Sequence, residues 1–192
     1  MRLLLHCCCG PCATGVATYF ADRGDAVTGW FYNPNIQPEE ERVRRRETFG
    51  QAARALGLTS RPAEEGPDFV GFLRALAAGR GRRCRACYRM RLEPVAQAAA
   101  TEGYEAFATT LVISPYQDQR ALAAVGEEVG ARWGVAFQAA DLRDRYPASR
   151  ARARELGLYL QNYCGCLFSK LERAVRRAER AAAAALAHGP QG

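Results

Sequence analysis

The sequence predicts an α/β fold: a three-layer, Rossmann-like parallel sheet of about five strands with a cysteine-rich metal site at the strands' carboxyl ends. Three observations predict it. Short apolar runs of strand length alternate with longer segments whose apolar residues recur every three or four positions. The 192 residues, 48% of them hydrophobic, suffice to bury the core of one domain. The densest cysteine group, "LHCCCGPC" at positions 5–12, directly follows the first apolar run, where an open parallel sheet gathers its ligands.

The elements follow in order. "RLLLH" at 2–6 reads as a strand, and Gly10-Pro11 opens a helix in which Val16, Tyr19 and Phe20 share a face. "AVTGWFY" at 26–32 reads as a second strand, ending in the extended loop "NPNIQP". Glu39, Glu40 and Glu41 suit a helix N-terminus, and Phe49, Ala52, Ala53 and Leu56 continue that helix, with Arg42, Arg44, Arg45 and Arg46 on its other face. The third strand is hardest to place, and residues 58–61 are the candidate. A helix with Leu73, Leu76 and Ala77 breaks at Gly79 and Gly81, just before the cysteine-bearing helix "RRCRACYRMRLEPVAQAAA". Residues 104–111 and 135–139 read as two further strands around a helix carrying Leu122, Val125 and Val129. The last helix, from about Leu167, is expected to turn Leu167, Leu171, Ala174 and Val175 inward and its arginines outward, with His188 in a frayed tail. We expect one α/β domain over 1–192, with the C-x-x-C pair on a helical segment over 64–100 and a C-terminal helix over 167–187.

Composition narrows the partners. No apolar run approaches the roughly 18 residues of a membrane span, and the leucines at 3–5 are too few for a secretory leader, so the expectation is a cytoplasmic protein without a membrane partner. In that reducing compartment eight cysteines point to metal or redox chemistry rather than disulfides. The 27 basic residues against 20 acidic ones, a net +7, suit a polyanionic partner, although an arginine-rich composition alone gives the same balance.

The cysteines fall into three groups: Cys7, Cys8, Cys9 and Cys12; Cys84 and Cys87; Cys164 and Cys166. A C-x-x-C turn aims two thiolates at one metal, and Gly165 plays a similar permissive part between Cys164 and Cys166. A single closed zinc site uses four thiols and leaves half of these without a role. A radical S-adenosylmethionine triplet fails, because the position it needs after Cys8 and Cys12 is Gly15. A lone thioredoxin-like Cys9–Cys12 dithiol leaves the other pairs unexplained.

Around the cysteines stand "FYNPNIQPEEE", "TTLVISPYQD" and "GLYLQNYCGCLFS". Together with the "LLHxCC-x-x-C" opening and the C-x-x-C before a helix, these motifs resemble, in order from Leu4 to Ser169, the QueH family of epoxyqueuosine reductases. The resemblance implies a HUP-like version of the sheet. It implies an oxidoreductase that reduces the epoxide of epoxyqueuosine, at the tRNA wobble position, to queuosine. It implies a 4Fe-4S cluster, an adjacent mononuclear iron and an external electron donor. Seven motif thiols match that demand, with Cys7 as the spare.

Within the resemblance, Cys8, Cys84, Cys87 and Cys164 are expected on the cluster and Cys9, Cys12 and Cys166 on the single iron, on the argument that adjacent cysteines point apart. By motif position, Tyr116, Asp118, Asp141, Tyr159 and Tyr163 are the candidate proton donors, and Tyr32, Asn33 and Asn35 the candidate substrate grip. His6 is a candidate hydrogen-bond partner for sulfur, and residues 42–46 with the arginines near Cys84 are candidate phosphate contacts. The rivals are another cluster-dependent tRNA-modifying enzyme, which wants an ATP loop where this chain has "CCCGPC", and a zinc-stabilised RNA-binding module.

Overall fold

The structure, a computed structural model, describes residues 1–62, 69–78 and 83–187. The expected breaks at Gly79 and Gly81, the start of the 64–100 segment and the tail from His188 lie outside the described residues.

Among the described residues, five strands form one parallel sheet in the order β3-β2-β1-β4-β5, with β1 at Arg2–His6, β2 at Ala26–Trp30, β3 at Thr59–Ser60, β4 at Ala106–Thr109 and β5 at Ala136–Phe137. All four pairings are parallel. Leu3, Leu4 and Leu5 are fully buried, which is why β1 reads as an unbroken apolar run: the central strand of a covered sheet has no polar face. Each such side chain contributes about 1.5–3 kcal/mol by leaving water.

The helices are α1 (Gly10–Asp22), α2 (Glu39–Leu56), α3 (Phe69–Ala78), α4 (Arg83–Thr101), α5 (Gln119–Trp133), α6 (Tyr146–Glu155) and α7 (Leu167–Ala187). The strand order grows outward from β1 first one way and then the other, so right-handed crossovers put α1 and α2 on one face and α4 and α5 on the other. The chain reverses direction across the sheet between β1 and β4, and the loops leaving these two strands part there to open a crevice.

The structure corrects several expectations. β4 stops at Thr109 because that side chain accepts from Leu111 N and starts a 3-10 turn, Thr110–Ile113. α6 has no counterpart in the sequence reading: its two buried residues are the small Ser149 and Ala153, among arginines. Arg42 and Arg45 are buried beneath α2 instead of lying on a solvated face, each paired with a glutamate of the first turn, Glu39 and Glu41. α7 does not bury its expected face: Leu167, Leu171, Ala174 and Val175 are exposed, as are its arginines.

Candidate metal centre

β1 delivers the chain into the crevice, and Thr109 and Thr110 at the end of β4 latch it. His6 Nε2 faces Tyr32 O at 2.9 Å, an acceptor only, so Nε2 carries the proton. Nδ1 then accepts from Thr109 Oγ1 at 2.8 Å. Burial, reinforced by the Arg91 charge, lowers the His6 pKa to about 3, and the ring is neutral. Thr110 Oγ1 accepts from Cys8 N at 3.0 Å and donates to Cys8 Sγ at 3.2 Å.

The next residues enter α1. Cys9 is its N-cap in extended backbone, φ −174° and ψ 167°, and Cys12 lies in the first turn. This change of backbone swings Cys9 towards its neighbour: Cys8 Sγ and Cys9 Sγ are 3.6 Å apart, which corrects the expectation that they diverge. The thiols of Cys8, Cys9 and Cys12 all lie within 4.8 Å of one another, buried, in a group able to hold a metal ion. Gly10 makes the approach possible, since a Cβ there would stand 2.4 Å from Thr48 O of α2. Hydrogen bonds from Cys12 and Cys9 hold the Cys8 thiol well below its usual range, with help from Arg91. Burial pushes Cys9 up, and the contact with Cys8 does the same to Cys12. Within the trio the surroundings favour loss of the Cys8 proton first, at a helix N-terminus that favours negative charge. Cys7 points elsewhere: its Sγ is fully buried and donates to Leu5 O at 3.4 Å.

Four more thiols line the cleft. Cys84 is exposed near the start of α4, and Cys87, one turn on, is buried beside Cys166 and Phe72. Cys164 and Cys166 precede α7 in a loop fixed from behind. Arg45 donates to Tyr163 O at 2.9 Å and Cys164 O at 3.1 Å, and Gly165 O accepts from Gln37 N at 2.9 Å. Gly165 has φ 137°, a conformation that side chains disfavour. Burial pushes the Cys87 thiol up to about 12 and raises Cys164, while Arg91 pulls both back.

Arg91 connects the two sets. It is fully buried, donates from Nη2 to Asn33 Oδ1 at 2.7 Å, and its Nε and Nη1 have no hydrogen-bond partner. Among the described residues no carboxylate pairs with it, and its charge acts on Cys8, Cys87 and Cys164 alike. A buried cation without a counter-ion costs several kcal/mol. Arg91 favours the deprotonated form of Cys8, Cys87 and Cys164, and as thiolates these would balance its charge. Asn35 is also fully buried with both amide atoms unpartnered, behind Gly165. Convergent thiols, an uncompensated buried cation and orphaned amides together fit a metal–thiolate centre.

Six of the eight cysteines line one cleft of about 790 Å³. Of the expected proton donors, Tyr116 and Tyr163 line it too. Tyr116 is 81% exposed on the rim. Tyr163 donates to Gln37 O at 2.5 Å, and burial lifts its pKa to about 12. Tyr159 donates instead to Glu41 Oε2 at 2.9 Å. Asp118 caps α5, accepting from Ala121 N, and exposed Asp141 pairs with Arg143 beside a smaller cavity. The expected substrate grip is turned inward: Asn33 and Asn35 are buried, Asn33 holds Arg91 and Cys7 O, and Tyr32 packs on Trp30. Gln161, which the sequence reading passed over, donates to Cys9 Sγ at 2.8 Å, and Gln117 donates to Cys164 Sγ at 3.5 Å. Both sit inside quoted motifs, "GLYLQNYCGC" and "SPYQD", which is the signal that marked them.

Known proteins bear on this arrangement. The family model described as "Epoxyqueuosine reductase QueH" matches residues 3–172. An epoxyqueuosine reductase QueH from Dehalococcoides mccartyi is 38% identical over 174 residues, covering 90% of this chain and 94% of that one. Another, from Thermotoga maritima, is 34% identical over 186 residues, covering 92% and 94%. A Staphylococcus epidermidis relative of the same description is 28% identical, covering 91% and 78%. Among solved structures, one described as a "predicted subunit of tRNA methyltransferase" from Methanocaldococcus jannaschii superposes with a TM-score of 0.50 at 12% identity, covering 79% and 76%, and shares the fold. By its sequence over nearly its whole length and by its thiol-lined crevice, this chain belongs to the epoxyqueuosine reductase QueH family.

Proposed function

We propose that the chain reduces the epoxide of epoxyqueuosine in tRNA to queuosine, at a metal centre in the thiol-lined cleft. The observation that carries this reading is the convergence of Cys8, Cys9 and Cys12 beside the four thiols of α4 and the Cys164–Cys166 loop. The reaction takes up two electrons and two protons, breaks both epoxide C–O bonds, forms the C=C bond and releases water.

Cys84, Cys87, Cys164 and Cys166 would hold the four-iron cluster, and Cys8, Cys9 and Cys12 the single iron. This differs from a split between Cys8 and Cys9, and the 3.6 Å contact between those two sulfurs is what supports the change. Bound there, the cluster would supply single electrons and the iron would supply Lewis acidity for the C–O bond. Arg91 offsets the negative charge of both thiolate sets. Gln161 and Thr110 direct N–H and O–H donors at Cys9 and Cys8 and hold their lone pairs in place. Tyr163 and Tyr116 remain the candidate proton donors because they face the cleft. The electron donor is an external reductant, and the setting is the cytoplasm; among the described residues no helix is long and apolar enough to cross a membrane.

The test is anaerobic incubation of the metal-loaded protein with a reductant and epoxyqueuosine-containing tRNA, followed by nucleoside mass spectrometry. Conversion to queuosine is the expected result, on protein carrying about five irons and four sulfides per chain, the content of one cubane plus one iron. Unchanged epoxide with fully loaded protein overturns the reading. Colourless protein holding zinc and no sulfide points to a zinc-stabilised RNA-binding module.

A further inference from the structure

Among the described residues, seven arginines line the cleft, Arg45, Arg83 and Arg150 with four from α7, against one carboxylate, Glu172. Glu172 already pairs with Arg83 at 2.5 Å. The four from α7 are Arg173, Arg176, Arg177 and Arg180, at i, i+3, i+4 and i+7, so they form one stripe along about 10 Å of helix axis. All four are exposed. Arg173 donates to Asn162 O, while Arg176, Arg177 and Arg180 have no hydrogen bond or ion pair among the described residues. A solvated face normally interleaves acids with bases; here the second glutamate of the helix, Glu179, lies off the stripe and outside the cleft. Leu167, Leu171 and Val175 occupy the opposite arc.

We propose that the α7 stripe binds the phosphate backbone of the tRNA anticodon arm while its modified nucleoside enters the cleft, an inference that rests on the proposed tRNA substrate. The phosphate contacts thereby move from the 42–46 run, where Arg42 and Arg45 are consumed by internal ion pairs, to the C-terminal helix. The cleft adds the second part of an RNA site: exposed Tyr116 stands edge-on to Tyr146, with ring centroids 6.2 Å apart, and offers an unstacked base an aromatic surface. An anionic bilayer fits less well. With the apolar arc of α7 in lipid, the stripe would point away from the headgroups and into the protein's own cleft.

Phosphate contacts release counterions, so the test is salt dependence. Anaerobic, metal-loaded protein is titrated with fluorescent epoxyqueuosine-containing tRNA at several salt concentrations, as wild type, as R176Q/R177Q/R180Q and as the charge-keeping R176K/R177K/R180K. At about 0.7 of a log unit per contact, the Gln variant is expected to lose about 2 from the slope of log affinity against log salt, and to bind roughly tenfold or more weakly at low salt. The Lys variant keeps most of both. Single Arg-to-Gln variants, each losing about 0.7 of slope, serve if the triple variant does not fold. Wild-type affinity and slope in the Gln variants overturn the stripe, and so does wild-type protein that does not bind the tRNA. Loss of sedimentation with phosphatidylcholine–phosphatidylglycerol vesicles, with tRNA binding intact, overturns it in favour of a membrane surface. The functional reading fails separately: in that case tRNA binding still depends on the stripe, but the epoxide survives in loaded wild type.

Discussion

The two sets of thiols are built differently. Cys8, Cys9 and Cys12 sit within five residues, in the connection from the central strand and the first turn of its helix, at most 6% exposed, clamped by Thr110, Gln161 and the N-terminus of α1. Cys84, Cys87, Cys164 and Cys166 come from two segments far apart in sequence, and Cys84 is exposed. Their alignment depends on groups reaching across, chiefly the Arg45 side chain and the Gln37 backbone N–H on the Cys164–Cys166 loop. The first set is preorganised by the backbone of the fold, the second by tertiary contacts. Backbone-held ligands bind metal with little reorganisation, whereas assembled ones respond to every neighbour.

The largest effect should come from the preorganised set. Cys9→Ala is expected to lower iron content by the metal held in the loop and to reduce epoxide turnover by well over the 10–100-fold typical of losing an outer partner. Cys7→Ala, two residues away, should leave metal content unchanged, because Cys7 Sγ bonds Leu5 O inside the core. Iron quantification on both variants checks this. Equal iron loss in the two would erase the distinction between ligand and spare.

Arg91 belongs to both sets, so it tests whether they share a charge. Arg91→Met removes a buried cation that has no carboxylate partner. The metal-free protein should become more stable, by on the order of 1–3 kcal/mol, because an unpaired buried charge is gone. The metal-loaded protein should shift the other way, with a lower reduction potential, since a positive charge near a cluster favours the reduced state. Urea melts of the metal-free protein and a redox titration of the loaded one read the two signs. A loss of stability with an unchanged potential would show that the arginine serves packing alone.

Legibility divides along the same line. The leucines of β1, the order of elements and the three cysteine groups are written in residue identity, because apolar runs and C-x-x-C spacing act locally. The meeting of Cys8 with Cys9 is not, since it depends on the backbone angles at one N-cap. Nor is Arg91 distinguishable by sequence from the arginines around it at 82–89, although it is buried and Arg89 pairs at the surface with Glu128. α6 escaped for a related reason: its buried residues are Ser149, against Thr14 of α1, and Ala153, beside Ala52 of α2, not a hydrophobic stripe. α7 shows that amphipathicity locates a helix and its two faces but not whether the apolar one is covered.

Gly165→Ala tests the assembled set from within. The residue stands at φ 137°, and a Cβ there would lie 3.0 Å from Ile36 Cγ1 and 3.3 Å from Asn35 Nδ2. Strain of roughly 1–3 kcal/mol is expected at such a position. It should fall on the aim of Cys164 and Cys166, so cluster sulfide content drops while the loop-held metal persists. Gly10→Ala, at the preorganised set, should instead disturb both metal and fold, because its Cβ meets α2 backbone that cannot yield. Thermal melts with iron and sulfide assays separate the two outcomes.

The smallest effect is a pH dependence written into the latch. His6 is neutral in the folded chain with its pKa lowered to about 3, against 6.5 for an ordinary imidazole. Below pH 6.5 the unfolded chain takes up a proton that the folded chain refuses, so this contribution to stability is fully present above 6.5. It is lost as pH falls, at about 1.4 kcal/mol per unit, until the folded ring itself protonates. His6→Gln can reproduce both hydrogen bonds, an amide oxygen accepting from Thr109 Oγ1 and an amide N–H donating to Tyr32 O, yet it cannot titrate. Urea melts of the reduced, metal-free wild type and variant at pH 7.5 and 5.5 should therefore diverge at the lower pH by about 1.4 kcal/mol in favour of the variant. A constant difference across that range would mean that Arg91 and Cys8, the charged groups beside His6, carry the acid sensitivity of the latch in its place.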